Sequence, residues 1–374
     1  MDLNDLAPQE LLTRGLQVLS DLLGPAWTVT IQPPSQGARS SKNLDALVQV
    51  QSEGDSVFTQ LLIDLKSNVT PRMVEEQLLP KLDLVRQVNH YTNPVVITPW
   101  IAPRVQLMLR ENGIGYIDLT GNTSLRVTRP AIVIYTEGDT RPPRSSPARN
   151  TKATLAGPKV GRLVRLLADV APPYRAGELA ESARLSLPYV SRLLDTLEDQ
   201  LLIRRDGRVI TDVDWPQLLR ARAEHLNLLR HNPYVGMVAP MGIPPVLNGL
   251  HRLAKEHNEQ IVITGSYAAR LIAPISVGGQ LMVYVPPGPH TPDDVGDELG
   301  LLRVDKGADV LLLRAHDEVV FERTVWESGL HRVALSQLVL DCLSGPGRMP
   351  AEGEAVLARM QEDPHLWRSE QLPL

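Results

Sequence analysis

The chain has 374 residues, 43% hydrophobic and 22% charged, with a formal net charge of −5. This length exceeds what one hydrophobic core fills and predicts two or three domains of an ordinary globular kind. The acidic balance removes any argument for nucleic-acid binding from overall charge, and the single cysteine, Cys342, excludes an internal disulfide or a thiolate zinc site and fits a reducing, cytoplasmic setting.

From the N-terminus, Met1-Asp2-Leu3-Asn4-Asp5 is acidic and lacks the apolar run of a signal peptide. No stretch of about 18 uncharged apolar residues follows anywhere, so no membrane span is expected. Pro8 to Leu23 carries Leu11, Leu12, Leu16, Leu19, Leu22 and Leu23 at helical spacing. Trp27 to Ile31, Leu44 to Val50 and Phe58 to Leu65 read as strands, the last two joined through Glu53-Gly54-Asp55. Thr70 to Asn89 reads as a helix with Pro71 at its start and Leu78, Leu79, Leu82, Val85 and Val88 along one stripe. A strand at Val95 to Thr98, a helix at Ala102 to Asn112 stopped by Gly113, and strands at Tyr116 to Leu119, Leu125 to Val127 and Ile132 to Tyr135 complete a mixed sheet flanked by helices.

In that sheet Asp45 opens one strand, and Asp64 and Lys66 lie two apart on the next, hence on one face. The order resembles the PD-(D/E)xK nuclease fold. The resemblance implies that Asp45 and Asp64 bind Mg²⁺, that Lys66 positions or activates water, and that Gln77 joins the site. An inactive copy of the fold, used for DNA contact or dimerisation, is the competing expectation. Tyr116-Ile117-Asp118-Leu119-Thr120-Gly121-Asn122 reads as a strand running into a tight turn.

Gly138 to Ala156 is a linker: Pro142, Pro143 and Pro147 block regular structure, and Arg141, Arg144, Arg149 and Lys152 make it basic. Beyond it, Pro158 to Val170 reads as an amphipathic helix ended by Pro172 and Pro173, and Ala176 to Ala183 as a short second helix. Leu185 and Ser186 form a turn with Ser186 as N-cap, and a third helix reaches about Leu201, burying Val190, Leu193, Leu194, Leu197 and Leu201. Its other face offers Tyr189, Ser191, Arg192 and Asp195. Asp206-Gly207 then turns a two-strand ribbon bearing Arg204, Arg205 and Arg208. The string LPYVSRLLDTLEDQLLIRRDGRV resembles the recognition helix and wing of a winged helix-turn-helix from bacterial transcriptional regulators. That likeness implies that Ser186, Pro188, Tyr189, Ser191 and Arg192 face the major groove and that Arg204, Arg205 and Arg208 meet phosphates or the minor groove. From Thr151 to Trp215 ten basic side chains stand against nine acidic ones, so binding has to rest on a one-sided arrangement of charge and on two copies acting together.

A helix continues from Trp215 to Leu229, and Asn232 to Pro245, rich in Pro and Gly, reads as a second boundary. The remainder is α/β again: helices at Val246 to His257, Ser266 to Leu271, Ser336 to Leu343 and Pro350 to Met360, with strands at Gln260 to Thr264, Gln280 to Val285 and Val310 to Leu313. ITGSYAARL, Ile263 to Leu271, resembles the Gly-Ser element of the nucleotidyltransferase fold, which holds a triphosphate. The strand after it, Gly278 to Val285, has no acids, which implies that catalysis is lost; Asp293, Asp294, Asp297 and Glu298 read as a solvated loop. ALSQLVLDCLSGPGRMPAEGEAVLARM resembles the C-terminal part of AbiEi-type antitoxins and related regulators.

The expectation is therefore an α/β multidomain protein: a nuclease-like domain at 1–138, a basic linker at 139–155, a winged helix at 156–231 and a nucleotidyltransferase-like domain at 232–374. Its function reads as sequence-specific binding of double-stranded DNA in transcription regulation, as a homodimer, with no cofactor. The alternatives are a Mg²⁺-dependent DNA nuclease and an antitoxin that represses its own operon, with a toxin or a small-molecule effector as further partner.

Overall fold

The computed structural model describes residues 6–32, 45–54, 56–88, 92–143, 155–256, 261–275, 278–327 and 329–373. The chain is α/β with mixed sheets and divides into two compact units. One comprises Met1–Thr151 with Asp199–Leu201, the other Lys152–Glu198 with Leu202–Leu374. Among the described residues no helix is long and apolar enough to cross a membrane.

The first unit begins with α1 (Pro8–Leu23), β1 (Trp27–Gln32), β2 (Ala46–Ser52) and β3 (Phe58–Leu65). The helical stretch that follows consists of α2 (Pro71–Met73), a π-turn at Val74–Leu78, and α3 (Leu79–Val88). The chain closes through β4 (Thr92–Thr98), α4 (Pro103–Glu111), β5 (Gly115–Asp118), β6 (Thr123–Val127) and β7 (Ile132–Thr136). The seven strands lie in sequence order, antiparallel except for the parallel pairs β3–β4 and β4–β5. Alternation along β4 divides the core: Val95 and Ile97 join Leu11 and Leu19 of α1 on one face, and Val96 joins Leu78, Leu82, Val105 and Leu109 on the other. Proline opens α1 and α4 at a position whose amide has no helical partner to lose. Gly15 is required by close approach, since a Cβ there would stand 2.5 Å from Ile97 Cγ2. The turn read at Tyr116 to Asn122 is closed by the fully buried Asp118, whose carboxylate accepts from the amides of Ile101, Thr120 and Asn122 at 2.8–3.1 Å.

Residues 139–143 of the expected linker are described, and the Asp139 carbonyl accepts from Trp100 Nε1 at 3.0 Å and from Asn122 Nδ2 at 3.1 Å. Arg144, Pro147, Arg149 and Lys152 lie outside the described residues.

The second unit opens with α5 (Pro158–Asp169), β8 (Tyr174–Arg175), α6 (Ala176–Ser182), α7 (Leu187–Asp199), β9 (Ile203–Asp206), β10 (Val209–Val213), α8 (Trp215–Ala223) and α9 (Leu228–His231). Strands pair in the order β8-β10-β9. Next come β11 (Tyr234–Val238), α10 (Ile243–Glu256), β12 (Val262–Thr264), α11 (Gly265–Ile272), β13 (Leu281–Val285), α12 (Pro292–Glu298), β14 (Leu302–Arg303) and β15 (Val310–Arg314). A 3₁₀ turn at Glu318–Phe321, β16 (Val325–Glu327), β17 (Leu330–Arg332), α13 (Leu335–Leu343), α14 (Met349–Glu362) and a second 3₁₀ turn at Pro364–Leu366 complete the chain. The second sheet runs β14-β11-β15-β13-β12-β17-β16.

Three local expectations change. Asn232 to Pro245, read as a boundary, contains β11, paired with β14 and β15 inside the second sheet. Asp293, Asp294, Asp297 and Glu298, read as a loop, lie on α12. Thr291 caps that helix: its hydroxyl accepts from the Asp294 amide at 3.2 Å, while Asp294 accepts from the Thr291 amide at 2.7 Å. The helix read as running from Trp215 to Leu229 ends at Ala223, and a short α9 follows, capped by Asn227.

One hydrophobic core runs from Leu155 to Met360 through both halves of this unit. Consequently every residue of α5 from Leu163 to Asp169 is buried, Arg165 and Asp169 included, rather than a single stripe, while Pro158 and Lys159 at its start are exposed. The fully buried Arg165 donates to the carbonyls of Val319 (3.0 Å) and Glu322 (3.1 Å), to Gln337 Oε1 (2.9 Å) and to Asp169 (3.3 Å). At the far end of α5, Arg368 donates to the carbonyls of Leu167, Ala168 and Val170 at 2.8–3.2 Å, where the helix ends and its last carbonyls have no intrahelical donor.

Candidate nucleic-acid interface

α6 and α7 are joined by a sharp turn in which Arg184 takes a left-handed backbone, φ +54°, and the Leu185 amide returns to the Ala180 carbonyl at 2.9 Å. α7 starts at Leu187. The Ser186 carbonyl accepts from the Tyr189 and Val190 amides at 3.0 and 3.1 Å, and Pro188 lies in the first turn, where a missing amide costs little. Val190, Leu193, Leu194 and Leu197 are completely buried, which fixes the opposite face outward.

That outward face carries most of the residues singled out in the sequence. Ser186, Pro188 and Arg192 are exposed and Ser191 is half-buried. The Arg192 Nε donates to the Pro188 carbonyl at 3.3 Å, which lays the guanidinium back along the first turn. Tyr189 is half-buried and packs against the core, so its ring serves the fold as well as the surface. Two residues of this face were missed by sequence reasoning. Leu187 is 49% exposed at the start of α7, and Arg184 is exposed on the turn before it. Leu187 broke no pattern, since an apolar residue in an apolar-rich helix gives no sign of which way it points.

β9 and β10 pair antiparallel, with Val209 opposite Asp206 and Ile210 opposite Arg205, and Gly207 takes φ +58° in the connecting turn. Arg204 and Arg208 are exposed on this ribbon. Arg205 is placed differently: its Nη2 pairs with Asp195 at 2.8 Å and with Glu198 at 2.5 Å. The hydrogen bond to Glu198 is the main cause that holds this guanidinium above its ordinary pKa. The ribbon is thus fastened to α7 through the exposed Asp195 and the half-buried Glu198.

In the first unit, the Asp45 amide bonds to the Ile63 carbonyl at 3.3 Å, and its carboxylate Oδ2 accepts from the Leu65 amide at 2.7 Å. The buried Asp64 has one oxygen on Lys66 Nζ at 2.9 Å and the other on Lys81 Nζ at 2.8 Å. Gln77 is exposed on the π-turn. Lys81 was missed because it belongs to the polar face of a helix whose rotation over the sheet no local pattern fixes. As arranged, these residues do not fit a Mg²⁺ ion: both Asp64 oxygens are matched by ammonium groups, and Asp45 is turned onto backbone. Among the described residues no group of three or more His, Cys, Asp or Glu side chains gathers to hold a metal.

In the second sheet, Gly265 opens α11 with φ +68°, and Ser266 is buried. Gly279, φ +124°, comes so close that a Cβ there would stand 2.8 Å from Ser266 Cβ. β13 is wholly buried and carries no acid. The carboxylate beside it is Asp341 of α13, bonded to Thr264 Oγ1 (2.6 Å), Gln337 Nε2 (2.8 Å) and Tyr284 Oη (3.1 Å). Burial lifts this carboxyl to about 6, and the group is spent on internal bonds. No family model, curated protein or solved structure matches the chain.

Proposed function

We propose that the protein is a sequence-specific DNA-binding transcription regulator of the winged helix-turn-helix kind, with α7 entering the major groove and the β9–β10 ribbon lying against the backbone. One observation carries this reading: the N-terminal half of α7 presents an outward surface of Ser186, Leu187, Pro188 and Arg192, beside a ribbon with Arg204 and Arg208 exposed. A helix entering the major groove places its first turns against base edges. Arg192 has the reach and the donors for guanine O6 and N7, and Leu187 is of the type that contacts a thymine methyl. The nearly even charge of this segment supports a homodimer on two half-sites, which light scattering at micromolar concentration tests; a monomer there removes it. A toxin partner, and the antitoxin reading with it, belongs to the same proposal and is tested by co-purification with the product of the neighbouring gene.

Selection from a random duplex library, followed by a salt titration on the selected site, tests the assignment. Arg192→Ala is expected to lower affinity for the selected site by about 1–3 kcal/mol and to relax preference at one base pair. Arg208→Ala is expected to weaken all sequences alike and to reduce the salt slope by about one. Indistinguishable titrations for the two variants and the parent chain would overturn the reading.

A further inference from the structure

The second unit contains a cavity of about 350 Å³ between α10, α11 and the β16–β17 hairpin. Its size lies in the range of small-molecule sites. Leu247, Tyr267, Leu271 and Leu330 supply an apolar lining, and Leu271 is 57% exposed at it. The Trp326 and His331 rings meet edge-to-face, 4.5 Å between centroids, at the hairpin.

Two buried polar atoms of this cavity's lining, Arg332 Nε and His331 Nδ1, have no hydrogen-bond partner. Arg332 is only 7% exposed, and its Nε has no hydrogen-bond partner. Its Nη1 donates to the Val333 carbonyl at 3.2 Å. The Glu327 carboxylate stands 3.7 Å from Nε, beyond hydrogen-bond distance, and its side chain is 51% exposed to water. Burial therefore outweighs Glu327 and lowers the guanidinium's pKa. A guanidinium taken out of water is costly unless an anion meets it with directed hydrogen bonds. His331 lies alongside, with Nδ1 buried and unpartnered, and burial lowers its pKa toward the neutral imidazole.

We propose that this cavity binds a small organic anion, a carboxylate on an apolar body, with the carboxylate on Arg332 and the body against Leu247, Leu271 and Leu330. The carboxylate completes the hydrogen bonding of a buried cation in planar geometry, and the body covers apolar surface now open to solvent. The site is independent of the DNA-binding reading, because occupancy is read on the chain alone.

The test is calorimetric titration of the full chain with benzoate, 3-phenylpropionate and octanoate, alongside 3-phenylpropan-1-ol as the uncharged form of one body. Saturable binding of at least one acid is expected, with the alcohol weaker than phenylpropionate by about tenfold or more. Leu271→Trp, which fills the cavity from an exposed position, is expected to abolish binding. Glu327→Gln, at an exposed position, removes the competing carboxylate and is expected to tighten the acids severalfold, a direction that a purely structural role for the Arg332–Glu327 pair does not give. Absence of saturable binding by all three acids overturns the proposal, as do equal affinities of acid and alcohol or unchanged or weaker binding by Glu327→Gln.

Discussion

Arg184 holds a left-handed backbone at the turn between α6 and α7, a conformation that glycine takes without penalty and other residues take at about 1 kcal/mol or more. Its side chain is exposed, so little packing offsets that strain. Arg184→Gly is expected to stabilise the chain by about 1 kcal/mol in urea unfolding; a loss of stability would mean that the arginine side chain is engaged at this turn. A second residue-scale effect concerns Asp341. Burial raises its folded carboxyl to about 6, against 3.8 in the unfolded chain. Below pH 3.8 both states are protonated and the term vanishes. As pH rises toward 6 the unfolded chain releases its proton first, so native stability falls by on the order of 3 kcal/mol across that window. Asp341→Asn is expected to flatten the fall between pH 4 and 6, whatever fixed cost it adds through its altered hydrogen bonds. Parallel stability–pH curves for parent and variant would show that Asp341 does not titrate in this range.

At the scale of elements, the ribbon and α7 behave as one piece because Arg205 binds both Asp195 and Glu198. Removing it takes the neutralising cation away from Asp195, whose side chain is 65% exposed, and from Glu198, beside a surface proposed to meet phosphates. Arg205→Ala is expected to weaken binding to all DNA sequences, most at low salt, where repulsion is least screened. Asp195→Asn with Glu198→Gln in the same chain is expected to restore most of the loss, which a lost phosphate contact would not allow; failure of that rescue in anisotropy titrations returns Arg205 to the phosphates. α5 illustrates a different coupling. Arg165 is bonded to the Val319 and Glu322 carbonyls and to Gln337, so the helix that opens the second unit is also an interior helix of the α/β half that follows.

For the whole molecule, the cores of the two units are separate: residues from Leu11 to Ile132 fill the first, and Leu155 to Met360 the second. Within the second, the segment from α5 to β10 and the sheet of β11 to β17 share one core. Cooperative unfolding follows shared burial. Calorimetry is expected to resolve two transitions, with α7 and the second sheet melting together in one of them. A Leu163→Ala substitution, at a fully buried position, should move only that transition, by about 2–5 kcal/mol of stability. A single transition with equal calorimetric and van't Hoff enthalpies would contradict it.

Local rules in the sequence determined α7, the Asp206-Gly207 ribbon, the proline-opened helices and the first sheet, because periodicity, caps and turn residues act over a few positions. The same rules failed at β11 and β17, whose backbone is defined by partners far along the chain, at β16, a three-residue edge strand paired only with β17, and at α12, whose cap is a side chain in a polar run that also suits a loop. Which cations stand outward was likewise settled only by folding. Arg204, Arg205 and Arg208 are equivalent as a sequence, yet pairing with β10 and packing on α7 turn Arg205 onto Asp195 and Glu198 and leave Arg204 and Arg208 exposed. The cavity at Arg332 required tertiary structure altogether, since its walls come from α10, α11 and the β16–β17 hairpin, segments separated by tens of residues and joined only through burial of a common core.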